Sequence, residues 1–312
     1  MAREQIIIDT DPGQDDAVAI LLALASPDEI EVLGITVMAG NVPLASTVQN
    51  TLKIVELAGR PEVPVFAGCA RPMLRPLTTA EFICGPDGLD GASLPAARIE
   101  AQPRHAVDFL VETLLAAPDR SITLCAVAPL TNIAVAMVKE ARILPKIRRI
   151  VLMGGARELG NVTPAAEFNF YVDPHAAHVV LTSGVPIVMF GLHATHQALG
   201  TPARVAAIAT LGTPVSRAVV GMLSRPRPEA LEKFGGPGHP LHDPCIVAYL
   251  LWPELFHGRE CHVSVELQSE AAIGRSTIDW WRRLQLPPNA HVIDRIDADG
   301  FFTRLTTQLG RL

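Results

Sequence analysis

Short β-branched runs alternate with longer stretches of helical periodicity along most of this chain, and that alternation constrains its fold more than any other feature. Residues 6–8, 32–38, 63–66, 122–127, 150–153 and 187–190 read as strands. Between them, residues 17–25, 44–58, 106–117, 130–140 and 173–183 read as helices. The helices carry their own stop and start signals: Ser26-Pro27, Gly59 and Pro118 as stops, and Asp173-Pro174 as N-cap and first helical residue. Strands alternating with helices argue for right-handed βαβ units, an α/β fold with an open, mostly parallel sheet flanked by helices. Residues 263–267 and 290–296 read as late strands, candidates for a sheet edge.

A chain of 312 residues, 49% hydrophobic and only 19% charged, suits a large core with strands covered on both faces. We expect one domain over 1–312. The net charge of −6 comes without any Lys/Arg block, which argues against a nucleic-acid partner. A small neutral substrate fits that balance. The five cysteines are odd in number, widely spaced and form no C-x-x-C, so they read as buried free thiols. The first residues lack an apolar leader, and no apolar run approaches the ~20 residues that span a bilayer. The expectation is a cytoplasmic chain with no membrane partner.

In parallel sheets, ligands bind at the carboxyl ends of the strands. After the first strand this chain reads Asp9-Thr10-Asp11-Pro12-Gly13-Gln14-Asp15-Asp16. Strand spacing puts Asp9 and Asp11 on one face, and Pro12-Gly13 signals a turn. A helix N-terminus favours an anion by only about 0.3–1 kcal/mol, and a cap needs one aspartate rather than four. A hard cation would relieve the repulsion, and an oxygen-only donor set points to calcium or magnesium rather than zinc.

Two further places attract attention. His242-Asp243-Pro244 reads as an ordinary helix start, with Asp243 as cap, but it also offers a distant carboxylate beside a proton donor. The long loop after residue 153 carries Asn161, Glu167 and Asn169, whose amide and carboxylate groups suit sugar hydroxyls. Asn41, after the second strand, is a similar candidate.

Taken together, these residues resemble the inosine-uridine nucleoside hydrolases. The N-terminal aspartate motif carries most of the resemblance, which continues through Gly88-Leu89-Asp90-Gly91, Pro129-Leu130-Thr131-Asn132, Met153-Gly154-Gly155, Glu167-Phe168-Asn169 with Asp173-Pro174, and His242-Asp243-Pro244. The resemblance implies a Rossmann-like nucleoside hydrolase fold and hydrolysis of the N-glycosidic bond of ribonucleosides, in purine and pyrimidine salvage, by a homodimer or homotetramer. It implies Ca2+ held by Asp11, Asp16, Asp243 and the backbone carbonyl of Val127. Asp15 would bind ribose hydroxyls, and Asn161, Glu167 and Asn169 the rest of the sugar, with Asn41 and Met153 lining the pocket. Asp11 would be general base for a calcium-bound water, and His242 would protonate the departing base. The chemistry is coherent: charge builds on the sugar as in other oxocarbenium-like transition states, and a positioned carboxylate contributes about 10²–10⁴-fold.

The chain departs from that pattern on the leaving-group side. Val127-Ala128 stands where many members have Thr-Gly, and Cys84 where pyrimidine-leaning members usually have a histidine. Residues 225–239 hold no tyrosine, and Phe234 is their only aromatic. His239 and His193 are candidate substitutes. These departures keep open another N-riboside, such as nicotinamide riboside, or a ribose-binding protein without turnover. A phosphoryl-transfer enzyme of the haloacid dehalogenase type, suggested by the D-x-D at Asp9 and Asp11, would leave His242-Asp243-Pro244 unexplained.

Overall fold

A computed structural model describes residues 3–224 and 238–312. Its centre is an eight-stranded sheet in the order β3-β2-β1-β4-β5-β6-β12-β9. The strands are β1 (Glu4–Thr10), β2 (Ile30–Val37), β3 (Val65–Ala67), β4 (Ile122–Ala126), β5 (Ile147–Met153), β6 (Ile187–Phe190), β9 (Phe256–Cys261) and β12 (Ala290–Ile296). Neighbours pair in parallel except β9, which runs antiparallel to β12 at one edge. Two short antiparallel ribbons lie outside the sheet, β7 (Leu199–Gly200) with β8 (His239–Pro240) and β10 (Val263–Val265) with β11 (Ser276–Ile278).

The continuous apolar run in β1 has a simple cause. Ile6, Ile7 and Ile8 are all fully buried, Ile6 and Ile8 in one core and Ile7 in the other. A strand with a core on each face cannot alternate polar and apolar residues. One layer holds α1 (Gln14–Leu24) and α2 (Leu44–Leu57). The short α3 (Glu81–Cys84) sits in a loop, and α4 (Ala106–Ala116), α5 (Thr131–Lys139), α6 (Phe168–Val172) and α7 (Pro174–Leu181) pack against the opposite face. The chain then adds α8 (Leu192–Thr195), α9 (Pro202–Ala209), α10 (Pro214–Leu223), α11 (Pro244–Leu251) and α12 (Ala298–Leu309) to the layer of α1. Every residue of α1 except Asp15 is buried, the mark of a helix enclosed on all sides.

The structure corrects the late part of the chain. β12 is not an edge: it lies between β6 and β9. The segment 263–265 joins a separate ribbon rather than the main sheet. The edge on that side, β9, carries FHGREC with mostly half-buried or exposed residues, so it has no apolar run to betray it. α1 begins at Gln14, ahead of the apolar run from residue 17, and Asp15 and Asp16 open it in its first turn, as expected after the Pro12-Gly13 turn. Helices α9, α10 and α12 were not anticipated. All five cysteines are free, four of them buried, as expected from their spacing. No helix among the described residues is long and apolar enough to cross a membrane.

Candidate active site

Strand order reverses between β1 and β4, the place where doubly wound sheets open a crevice at their carboxyl ends. A cavity of about 590 Å³ lies at this end of the sheet. Nine of the residues expected from sequence line it: Asp15, Asn41, Val127, Met153, Asn161, Glu167, Asn169, His242 and Asp243. The other two, Asp11 and Asp16, are fully buried and outside that lining. Asn41 covers them, its side-chain amide donating to the Asp11 carbonyl (3.2 Å) and to Asp16 Oδ2 (3.1 Å).

The acidic cluster is packed more tightly than strand spacing alone implied. Carboxylate oxygens of Asp15, Asp16 and Asp243 lie within 4.8 Å of one another, a group able to hold a metal ion. Asp16 also caps its own helix: its Oδ2 accepts from Gly13 N (3.0 Å), and its Oδ1 from Thr10 Oγ1 (2.6 Å) and Asp11 N (3.2 Å). Asp11 Oδ2 accepts from Asn41 N (2.7 Å), whereas Asp11 Oδ1 is buried without a hydrogen-bond partner. Burial, then the charge of Asp16, pushes the Asp11 carboxyl well above the carboxylate range. Burial, then the neighbouring Asp15 charge, raises Asp16 to about 6. Asp243 is also raised well above that range, first by burial and then by Asp15, Asp16 and Asp11. It occupies the N-cap position of α11 but makes no side-chain cap bond, so capping does not account for it.

These observations fit a bound cation. An orphaned buried oxygen, three crowded carboxylates and an oxygen-only donor set are what a hard divalent ion would satisfy. Asp9 stands apart. Its Oδ1 accepts from Thr36 Oγ1 (2.6 Å) and Asn132 Nδ2 (2.9 Å), it is buried, and it does not line the cavity. An aspartate so enclosed is no phosphoryl acceptor.

On the expected sugar side, the loop after β5 is held by its own polar residues. Glu167 Oε1 accepts from Asn169 N (2.8 Å), and Oε2 from Gly155 N (2.8 Å) and Phe170 N (3.1 Å). Burial nevertheless raises Glu167 to about 7. Asn161 Oδ1 accepts from Phe168 N (2.9 Å). Asn169 Nδ2 donates to the carbonyls of Val127 and Met153, each at 3.1 Å, and so ties the ends of β4 and β5 together.

The other side of the cavity is rich in histidine. His193, His196, His239 and His242 all line it, with Cys84. The His196 and His242 rings lie 5.6 Å apart, and His242 Nδ1 is 2.7 Å from Thr195 Oγ1. Sequence reasoning missed His196 and Thr195, although a His-x-x-His spacing just after a strand was there to be noticed. Burial, then the Arg157 charge, holds His193 down at about 4, so it is neutral at physiological pH and a poor substitute acid. Burial, then the nearby aspartates, pushes the Cys84 thiol up to about 12. Phe234 lies outside the described residues.

Comparison with known proteins agrees with this geometry. A sequence profile described as inosine-uridine preferring nucleoside hydrolase matches residues 6–303. An uncharacterized protein of Schizosaccharomyces pombe is 47% identical over 309 residues, covering 99% of both chains. The pyrimidine-specific ribonucleoside hydrolase RihA of Shewanella sp. (strain ANA-3) is 43% identical, covering 97% of this chain and 95% of its own. The solved structure of a purine-preferring ribonucleoside hydrolase from Gardnerella vaginalis superposes with a TM-score of 0.89 at 31% identity, covering 98% of each chain. This chain belongs to the inosine-uridine preferring nucleoside hydrolase family. It is an enzyme, a ribonucleoside hydrolase with an open, mostly parallel sheet.

Proposed function

We propose that this enzyme hydrolyses the N-glycosidic bond of ribonucleosides, preferring pyrimidines, with calcium held by Asp11, Asp16, Asp243 and the Val127 carbonyl. The observation that carries the metal assignment is the crowding of Asp15, Asp16 and Asp243 within 4.8 Å of one another at the edge of the cavity, together with the unpartnered buried oxygen of Asp11. When bound, the ion would supply the positive charge that lowers the pKa of water and attracts hydroxyl oxygens. Asp11 takes the proton from the water that attacks C1′. Asp15, the most accessible member of the cluster, receives ribose hydroxyls.

Asn161 uses its oxygen on the Phe168 backbone, so its amide nitrogen is the atom that donates to the sugar. Asn169 spends its amide nitrogen on two strand ends, so its oxygen is the atom that accepts. Glu167 stands on the sugar side, where the negative charge it carries once pH passes about 7 stabilises the developing cation. Asn41 and Met153 complete the wall, and His242 donates a proton to the leaving base. The pyrimidine preference rests on the relative named as pyrimidine-specific at 43% identity.

The test is ribose release from uridine, cytidine, inosine, nicotinamide riboside and nitrophenyl riboside, with calcium and with a chelator. The expected result is calcium-dependent release, fastest from a pyrimidine. Release unaffected by the chelator would refute the metal assignment, and faster release from inosine or nicotinamide riboside would refute the base preference.

A further inference from the structure

We infer that Thr195 is a positioning residue that keeps a proton on Nε2 of His242, the ring nitrogen that serves the leaving base. The inference rests on the reading of His242 as donor to that base. Thr195 is fully buried at the end of α8, and its Oγ1 lies 2.7 Å from His242 Nδ1 and 3.4 Å from the Gly191 carbonyl. The two residues are 47 positions apart in the chain, so their approach is a product of the fold. The ribbon of β7 and β8 fixes it: Leu199 pairs with Pro240, Gly200 with His239, and Leu241 N donates to the Ala198 carbonyl at 2.9 Å.

A hydroxyl is the side-chain group that can serve Nδ1 in either charge state. Beside the neutral ring, Thr195 donates to Nδ1, the shorter of its two contacts, and the ring proton sits on Nε2. Beside the imidazolium, Nδ1–H donates to Oγ1, and the hydroxyl proton turns to the Gly191 carbonyl. Nε2 carries a proton in both states. When the C1′–N bond breaks, its electron pair goes to the base nitrogen, which takes the Nε2 proton. The donor is the imidazolium, which is left as a neutral ring with its proton on Nδ1, held by Thr195, until exchange with solvent returns the Nε2-protonated resting form. Which nitrogen of a catalytic histidine is protonated is set by the partner of the other one.

The tautomer is read by nitrogen NMR of the histidine-labelled chain at a pH where the ring is neutral, with the His242 signals identified by their absence in His242→Ala. The wild-type ring is expected to be protonated on Nε2, Thr195→Val to lose that preference, and Thr195→Ser to retain it. In kinetics, Thr195→Val is expected to lose about tenfold or more in kcat on the best ribonucleoside, roughly one hydrogen bond's worth. KM and turnover of nitrophenyl riboside, whose leaving group needs no proton, should change less than about twofold. Thr195→Ser should restore most of the loss. A wild-type ring protonated on Nδ1 would overturn the inference, and this reading needs no variant. If His242→Ala separates the two substrates and Thr195→Val does not, the inference fails and the donor reading stands. If His242→Ala slows both substrates equally, the donor reading fails and the inference with it.

Discussion

Stripping the metal from this enzyme should invert the usual relation between pH and stability. Asp9 and Glu167 are each raised to about 7, from 3.8 and 4.5, chiefly by burial. A folded chain with raised carboxyls holds protons that the unfolded chain has already lost. Their stabilisation is full below the unfolded pKa and disappears as pH climbs through about 7. Between pH 5 and 8 each group costs the folded state about 2.5 kcal/mol. His193 acts in the opposite direction. It is held at about 4 against 6.5, so raising the pH from 5 to 8 discharges the unfolded chain and returns about 2 kcal/mol. The lowered surface carboxyls, such as Glu140 at about 2, change only below this window. The balance is a loss of about 3 kcal/mol, and Asp11, Asp16 and Asp243 push the same way. At about 2.1 cal/mol/K per residue, that is a fall of ~4–5 °C or more in Tm. Calcium should reverse the share that belongs to the cluster, and should raise Tm more at pH 8 than at pH 5, because at pH 5 it must displace protons. Thermal unfolding in chelator and in calcium at both pH values checks this. A chelated enzyme whose Tm is flat or rises between pH 5 and 8 would refute the electrostatic reasoning. A calcium effect no larger at pH 8 than at pH 5 would refute the assignment of the cluster as its site.

Two other perturbations separate chemistry from packing. Asp11→Asn should abolish turnover, by at least about 10²-fold, while leaving the far-ultraviolet spectrum and the unfolding transition cooperative; near-normal turnover would remove Asp11 as the base. Gly40→Ala should act on the same carboxylate by collision, since a Cβ there would stand 2.0 Å from Asp11 Oδ2 and 2.8 Å from its Cγ. The displaced carboxylate loses the bond from Asn41 N, so activity should fall by about tenfold or more and stability by about 1–3 kcal/mol; wild-type kinetics in that variant would show that Asp11 tolerates displacement.

Much of this protein is legible in one dimension because its chemistry is concentrated at strand ends. The apolar run at residues 6–8 declares a strand buried on both faces, and the aspartates that follow it declare a crowded anionic site. The Asp173 cap was readable from a two-residue signal and is made as expected, with Oδ1 accepting from Ala176 N at 3.0 Å. The capping alternative for Asp243 looked equally good in sequence, and only the tertiary structure rejects it, by turning the carboxyl toward Asp16. The edge strand β9 was illegible because an edge needs no apolar face.

What the sequence determined by itself is therefore local: element type, strand-end position and the chemical kind of each donor, all fixed by periodicity and residue chemistry over a few positions. Only the tertiary structure decided that Asp15 rather than Asp11 lines the cavity, that Asn41 lies over Asp11 and Asp16, and that Thr195 meets His242 across 47 residues. Those are relations between atoms brought together by sheet order and ribbon pairing, and no pattern along the chain encodes a distance of 2.7 Å between residues so far apart.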